Sequence, residues 1–242
     1  MSPEKLKIAT WNCNGALRQK WPLAEALAAD LLVVQECEDP AQSKDEAYRA
    51  WASNYKWVGA SKNKGLGVFA RQGLSLELVP LKLEPLELFL PIMVGQDGFE
   101  WSLLATWTKR ANSPTFGYIG QLWKFLQSHR AFLAHPAALL LGDLNSNSKW
   151  DVWDRWWNHS DVVKELKGLG LRSLYHEHFD ELQGCETRPT FCMYRKQDRP
   201  FHIDYAFAGP HWDLEKVEVG QLASWLTYSD HMPLMAELVI RR

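Results

Sequence analysis

Apolar and polar positions along the chain divide it into short strands and a few amphipathic helices. Residues 6–12, "LKIATWN", and 99–109, "FEWSLLATWTK", alternate closely enough to predict strands. Residues 31–36, "LLVVQE", stay apolar until the last two positions, which is the pattern of a strand covered on both faces. Residues 137–147, "AALLLGDLNSN", repeat that pattern and run into an Asp-x-Asn turn. Between the first two strands, residues 17–30 carry Leu23, Ala26, Leu27 and Ala28 near helical spacing, despite Pro22. A second helix is predicted over 117–134, with Ile119, Leu122, Phe125 and Leu126 on one face. A third is predicted over 158–171, capped by Ser160 and closed at Gly168 or Gly170.

The remaining segments read as strands. Residues 48–73 suggest two short strands around a Lys/Gly loop. Residues 74–95 alternate at period two but are broken by Pro80, Pro85 and Pro91, which suit edge strands or strand ends. "RPTFCMYRK" (188–196), "PFHIDYAFAG" (200–209), "WDLEKVEVG" (212–220) and "HMPLMAELVI" (231–240) complete the set. Strands outnumber helices, and helices fall between strands in both halves. The pattern predicts one α/β domain over residues 1–242, a four-layer sandwich of two packed mixed β-sheets flanked by helices.

Composition changes this picture little. Net charge is −2, so the chain as a whole does not attract polyanions. A polyanion site must come from a local basic cluster or a bound cation. The 13 Trp either fill the core or line a groove. Cys13, Cys37, Cys185 and Cys192 form no CxxC pair, which points to reduced thiols in a cytoplasmic protein. The start, "MSPEKLKIATWN", is too charged for a signal peptide, and no apolar run approaches the roughly 20 residues that span a bilayer.

Candidate chemistry sits at the strand ends. "ATWNCN" supplies Asn12 and Asn14, "LLVVQE" Glu36, and "LLLGDLN" Asp143 and Asn145. "FHIDYAF" supplies His202 and Asp204, and "YSDHMP" Asp230 and His231. Taken singly, most have a plain explanation. Glu36 could be a surface charge or a helix cap, Asp143 and Asn145 could shape a turn, and His231 could be a satisfied core histidine. Asp204 inside an apolar run needs a partner. Converging at one rim, these residues would suit a hard divalent cation, which prefers oxygen ligands.

With "TWNCNG" (10–15), "VVQE" (33–36), "KGLGVFAR" (64–71), "LLLGDLNSN" (139–147), "HIDYAFA" (202–208) and "SDHMPL" (229–234) in this order, the chain resembles the endonuclease/exonuclease/phosphatase superfamily over nearly its whole length. The resemblance implies a DNase I-like fold and phosphoester hydrolysis dependent on Mg²⁺, with Mn²⁺ as the other candidate ion. It implies Glu36 as main metal ligand, with Asn12 and Asp230 close by. Asp143 would orient or deprotonate the attacking water and Asn145 would hold that water or a phosphate oxygen. His231 would hydrogen-bond the phosphate, and Asp204 would orient His231.

The chain also departs from that pattern. Trp107 stands where many relatives carry His or Tyr against the phosphate. Lys109 or Arg110 could supply the missing charge; otherwise Trp107 is packing and both cations are solvated. His202 replaces an Arg common in AP endonucleases, which weakens any transfer of AP-site specificity. Residues 146–160 hold four Trp, suited to stacking bases or, for most of them, to packing on the domain. Asn158 and His159 are the polar candidates for substrate contact there, alongside Asn14 at the other rim. Arg188, Arg195, Lys196 and Arg199 form either a nucleic-acid contact or a solvated hairpin. The leading expectation is a nuclease acting on DNA, with no membrane and no obligate protein partner. The alternatives are a hydrolase of small-molecule or lipid-head-group phosphoesters and an inactive binding module.

Overall fold

The computed structural model describes residues 5–111 and 113–241. The first four residues, part of the charged start noted above, lie outside that range. One six-stranded sheet holds β1 (Lys5–Asn12), β2 (Leu31–Cys37), β3 (Tyr55–Ser61), β4 (Lys64–Ala70), β13 (Trp212–Val219) and β14 (Leu234–Ile240), in the order β13-β14-β1-β2-β4-β3. The second holds β5 (Ser75–Leu78), β6 (Phe89–Gln96), β7 (Phe99–Trp107), β8 (Leu139–Asp143), β9 (Arg172–Ser173) and β12 (Asp204–Ala208), in the order β5-β6-β7-β8-β12-β9. A small ribbon, β10 (Phe191–Cys192) with β11 (Pro200–Phe201), stands apart.

Alternation along the strands builds three apolar layers. Ile8, Val33 and Val68 of the first sheet meet Ile92, Leu103, Leu139 and Leu141 of the second in the central core. The other face of the first sheet, with Trp11, Leu32 and Val34, packs on α1 (Leu17–Ala26) and α2 (Glu46–Trp51). The other face of the second, with Leu104, Leu140 and Phe207, packs on α3 (Ile119–Leu133) and α4 (His159–Gly168). The result is the predicted four-layer sandwich of two mixed sheets flanked by helices. Both faces of β8 are covered, which is why its sequence is apolar without alternation. Truncating Leu139, Leu140 or Leu141 to Ala would cost about 2–5 kcal/mol each.

Several boundaries differ from the sequence expectations. The cap of α4 is Asn158, not Ser160, and Asn158 and Asp161 form a reciprocal capping box. Residues 74–95 are not one broken strand. β5 ends at Leu78, and pairing resumes only at Phe89. Pro91 lies inside β6, opposite Leu104 of β7. Its carbonyl accepts from Val79, just past the end of the short edge strand, so its missing N–H interrupts no ladder with β7. The segment 188–196 pairs only at Phe191 and Cys192 before a short 3₁₀ turn. Short helices α5 (Leu174–Phe179) and α6 (Leu222–Trp225) have too few turns to leave a period in the sequence.

The topology gathers the polar strand ends. β1 and β2 are parallel, as are β7 and β8, so Asn12, Glu36, Trp107 and Asp143 finish at one rim. β12 runs against β8, which sets Asp204 opposite Asp143. β14 runs against β1, so His231 just before it arrives at the same rim.

Candidate active site

Two Asx turns shape the floor. At the end of β1, the Asn14 N–H donates to Asn12 Oδ1 at 3.0 Å. At the end of β8, the Asn145 N–H donates to Asp143 Oδ1 at 2.8 Å. Asn14 and Asn145 both take positive φ, which Asn tolerates through this local hydrogen bonding. Asp143 Oδ2 accepts from Asn12 Nδ2 and from Asn145 Nδ2, each at 3.0 Å. Asn145 Nδ2 also reaches the Thr108 carbonyl at 3.0 Å, which ties the turn to the end of β7. Gly142 lets β8 lie this close: a Cβ there would stand 1.8 Å from the Thr106 carbonyl oxygen.

Asp204 and His231 form the buried side. His231 Nδ1 bonds Asp204 Oδ2 at 2.9 Å, and both side chains are sealed from solvent. The His231 N–H donates to Ser229 Oγ at 3.0 Å, and Ser229 Oγ–H donates to the Asn12 carbonyl at 2.7 Å. Trp11 Nε1–H donates to the His231 carbonyl at 3.1 Å. Phe191 lies against the imidazole with ring centroids 4.6 Å apart. Thr190 Oγ1 accepts from the N–H groups of Ile203 and Asp204, fixing the start of β12.

The open side is built around Glu36. The ladder of β2 with β4 slips between Gln35 and Cys37, leaving Glu36 as a bulged residue with φ of 64°. Strain of this kind in a non-glycine residue concentrates at functional sites. Glu36 Oε2 pairs with Lys64 Nζ at 2.8 Å, and Oε1 lies 3.5 Å from Asn12 Nδ2. The Asp230 carboxylate makes no hydrogen bond or ion pair among the described residues.

The two sides differ electrostatically. Burial raises the Asp143 carboxyl to about 7, and the nearby Asp204 charge adds to the rise. Burial alone would lower the His231 imidazole, but the Asp204 carboxylate against it prevails and raises it to about 9. At neutral pH His231 is therefore an imidazolium whose Nε2–H is a donor. Ligand-capable atoms of Asp143, Asp204 and His231 lie within 4.8 Å of one another. A protonated imidazole has no lone pair for a metal, so this trio reads as a closed ion-pair group. The oxygen-rich set of Glu36, Asp230 and Asn12 fits a hard cation better. It supplies two carboxylates and an amide, the hard oxygen donors that Mg²⁺ prefers.

The outer candidates divide. Trp107 is buried, and Lys109 Nζ stands 4.7 Å and Lys64 Nζ 5.6 Å from its ring, so it is a platform for cations. Arg110 is exposed and lines a cavity of about 380 Å³ together with Asn145. Asn14 is exposed at the rim. Asn158 and His159 do not meet the expectation of substrate contact. Asn158 spends its amide on Val152 and Arg155. His159 is fully buried, 3.1 Å from Gln183 and against the Tyr205 ring, where burial lowers its pKa. His202 is likewise structural. Its Nδ1–H donates to the Arg188 carbonyl, and burial pushes the ring down to about 4. Arg188 is held by Glu181, whereas Lys196 and Arg199 stay exposed.

Expected packing of the Trp-rich loop fails for three of its four indoles: Trp150, Trp153 and Trp156 are exposed, and Trp157 alone of the four is half-buried. Asn158 closes the loop on itself and turns Trp153 and Trp156 outward, 96% and 66% exposed. Sequence reasoning missed Lys64, Thr108, Thr190, Ser229 and Arg155. Lys64 opens "KGLGVFAR" and Ser229 opens "SDHMPL", so both stood inside quoted motifs. Thr108 acts through its backbone carbonyl and Arg155 through Asn158, which leaves no residue-type signal, and the Thr190 hydroxyl serves only backbone N–H groups distant in sequence.

No helix among the described residues is long and apolar enough to cross a membrane. No curated protein sequence matches the chain. Among solved structures, the chain is similar to the 3′ phosphatase NExo from Neisseria, bound to a product DNA hairpin. Identity is 22%, coverage is 96% of this chain and 98% of that one, and the TM-score is 0.67. It is similar to D. rerio TDP2 complexed with a single-strand DNA product, at 17% identity, 97% and 99% coverage and a TM-score of 0.67. It also matches an endonuclease/exonuclease/phosphatase family protein from Bacteroides thetaiotaomicron, at 14% identity, full coverage of both chains and a TM-score of 0.66. A sequence profile described as the Endonuclease/Exonuclease/phosphatase family matches residues 9–231, spanning every strand end described above, and the chain belongs to that family of phosphoester hydrolases.

Proposed function

We propose that this protein is a cytoplasmic, Mg²⁺-dependent phosphodiesterase that cleaves DNA. Glu36, Asp230 and Asn12 would hold the ion, which would supply charge to neutralise the phosphate oxygens and the leaving oxygen. Asp143, raised to about 7, accepts a proton from the attacking water, and its acceptor geometry is fixed by Asn12 and Asn145. His231 donates its Nε2–H to a phosphate oxygen as negative charge builds there. Asp204 keeps His231 charged and oriented through Nδ1.

The observation that carries the nucleic-acid reading is a cationic, aromatic cavity beside Asn145, with a run of ring contacts from Trp150 to His231. Arg110, Arg155, Trp150 and Trp157 line the cavity that contains Asn145. Trp150 meets Phe201 at 5.1 Å, Phe201 meets Phe191 at 6.3 Å, and Phe191 meets His231 at 4.6 Å. Aromatic faces of this kind stack unpaired bases at about 1–3 kcal/mol each. The DNA products bound to the Neisseria and D. rerio proteins support the same reading. A second reading rests on a different cavity. About 670 Å³ is enclosed by Val58, Leu81, Leu83, Leu86 and Phe89, with Lys64 and Lys109 also lining it. That combination suits a phosphoester carrying an apolar group.

The deciding experiment is a substrate panel with wild type and Asp143→Ala: single- and double-stranded DNA, an AP-site duplex, RNA, bis-p-nitrophenyl phosphate and inositol phosphates. Each is run with Mg²⁺, with Mn²⁺ and with chelator. Metal-dependent DNA cleavage lost in the variant is the expected result. Turnover of small esters or head groups alone overturns the nuclease reading in favour of the second. No turnover of any substrate overturns both and favours a binding module.

A further inference from the structure

Arg155 is held more firmly than a surface arginine needs to be. Its Nε–H donates to Asn158 Oδ1 at 2.7 Å, and its Nη2–H donates to the Trp150 carbonyl at 3.2 Å. Its Cζ lies 4.4 Å from the centroid of Trp157, which is itself packed on Phe116 at 5.4 Å. Asn158 is anchored in turn by Val152 and by the capping box of α4. The guanidinium is thus fixed in plane and tilt before any ligand arrives, and Nη1 has no partner among the described residues. Neither Arg155 nor Arg110 pairs with a carboxylate among the described residues, although the chain carries 29 Asp and Glu. Both line one cavity of about 380 Å³, and the same cavity contains Asn145, the neighbour of Asp143.

A guanidinium fixed in this way, with no carboxylate partner and with Nη1 free among the described residues, keeps N–H donors and its full charge for a phosphate in the cavity it lines. Cleavage of the bond in reach of Asp143 and His231 involves one phosphate. The cavity starts at Asn145, beside that position, and leads away along the Trp-rich loop. We propose that Arg155, with Arg110, forms a subsite for the internucleotide phosphate adjacent to the scissile one. The subsite makes the enzyme selective for chains with at least two phosphates over single phosphoesters. This rests on the nucleic-acid reading above and names the part of the substrate that the cavity measures.

The test is a chemical cycle on a short single-stranded oligonucleotide. One substrate carries ordinary phosphodiesters. Two others carry a neutral methylphosphonate at the linkage immediately 5′ or 3′ of the cleaved one. Wild type and Arg155→Met are compared on all three by kcat/KM with Mg²⁺. Wild type should lose about tenfold to hundredfold on one of the two neutralised substrates, the range of a charge-assisted hydrogen bond. Arg155→Met should be slower on the ordinary substrate and should discriminate between the substrates by no more than about twofold. Arg155→Lys, which keeps the charge but not the fork, should recover part of the discrimination. A loop that is merely damaged slows all substrates alike and leaves the wild-type ratio in place. A retained ratio in Arg155→Met overturns the subsite, as does wild type indifferent to both neutralised linkages. Cleavage of bis-p-nitrophenyl phosphate with no cleavage of any oligonucleotide overturns the nucleic-acid reading itself, and this inference falls with it.

Discussion

The two sides of the active site are built to opposite specifications. Asp143, Asp204 and His231 are sealed from solvent; His231 is bonded to Asp204, and Asp143 is held by Asn12 and Asn145. Glu36 and Asp230 are half-buried; the first leans on a lysine and the second has no partner among the described residues. A sealed site can displace a pKa, because burial and neighbouring charge act there without solvent screening. An open site cannot, but it can accept an ion that keeps its water. The proposed function accordingly gives proton handling to the buried side and ion binding to the open side.

That division is most sharply broken by Asp143→Asn. Turnover should fall about 10³-fold, the scale of a lost general base, with far-UV circular dichroism unchanged. Unchanged turnover would remove Asp143 from the chemistry. Next in size is Asp204→Asn, expected to cost about 10²-fold. It also carries a pH signature. Activity requires Asp143 deprotonated and His231 protonated, so in wild type it should rise as pH passes about 7 and fall as pH passes about 9. Without the Asp204 charge, burial is opposed only by the weaker influence of Asp143 and Asp230, so the His231 pKa falls and the alkaline limb should move to lower pH. An alkaline limb left in place would mean that another group sets it.

The open side should respond to ion concentration instead. Glu36→Gln should raise the Mg²⁺ needed for half-maximal activity by about 10–100-fold, with turnover largely restored at saturating ion. A loss that no Mg²⁺ concentration repairs would move Glu36 to the buried side's duties. The smallest effect is expected from Lys64→Met. Lys64 competes with the cation for Glu36 across a half-exposed pair worth about 1 kcal/mol at most, so the Mg²⁺ requirement should drop by up to about fivefold. Isothermal titration with Mg²⁺ alone reads the same difference without turnover.

How far this site could be read in advance depended on how each residue acts. Asp204 was legible because an acid inside "HIDYAFA" has no other explanation than a partner. Glu36 and Asp143 were legible as polar ends of wholly apolar strands. The four layers followed from where the strands lose their alternation. Thr108 was not legible, because it braces Asn145 through its backbone carbonyl, a group every residue owns. Asn158 and His159 misled for a related reason. They have the side chains of a binding site, but the first closes a loop and the second fills a core position beside Tyr205. Arg155 became visible only once Asn158 was seen to hold it.

The strand order carries a consequence for synthesis. β1 lies between β2 and β14, and β14, residues 234–240, follows it in the chain by more than 200 residues. On the ribosome, one edge of β1 has no partner until that last strand emerges, and His231 arrives only just before it. A chain halted before codon 229 lacks the Ser229 and His231 groups that hold Asn12 and Trp11, and the strand that pairs with β1. Partly made copies therefore lack an assembled site, which closes only once β14 has paired with β1.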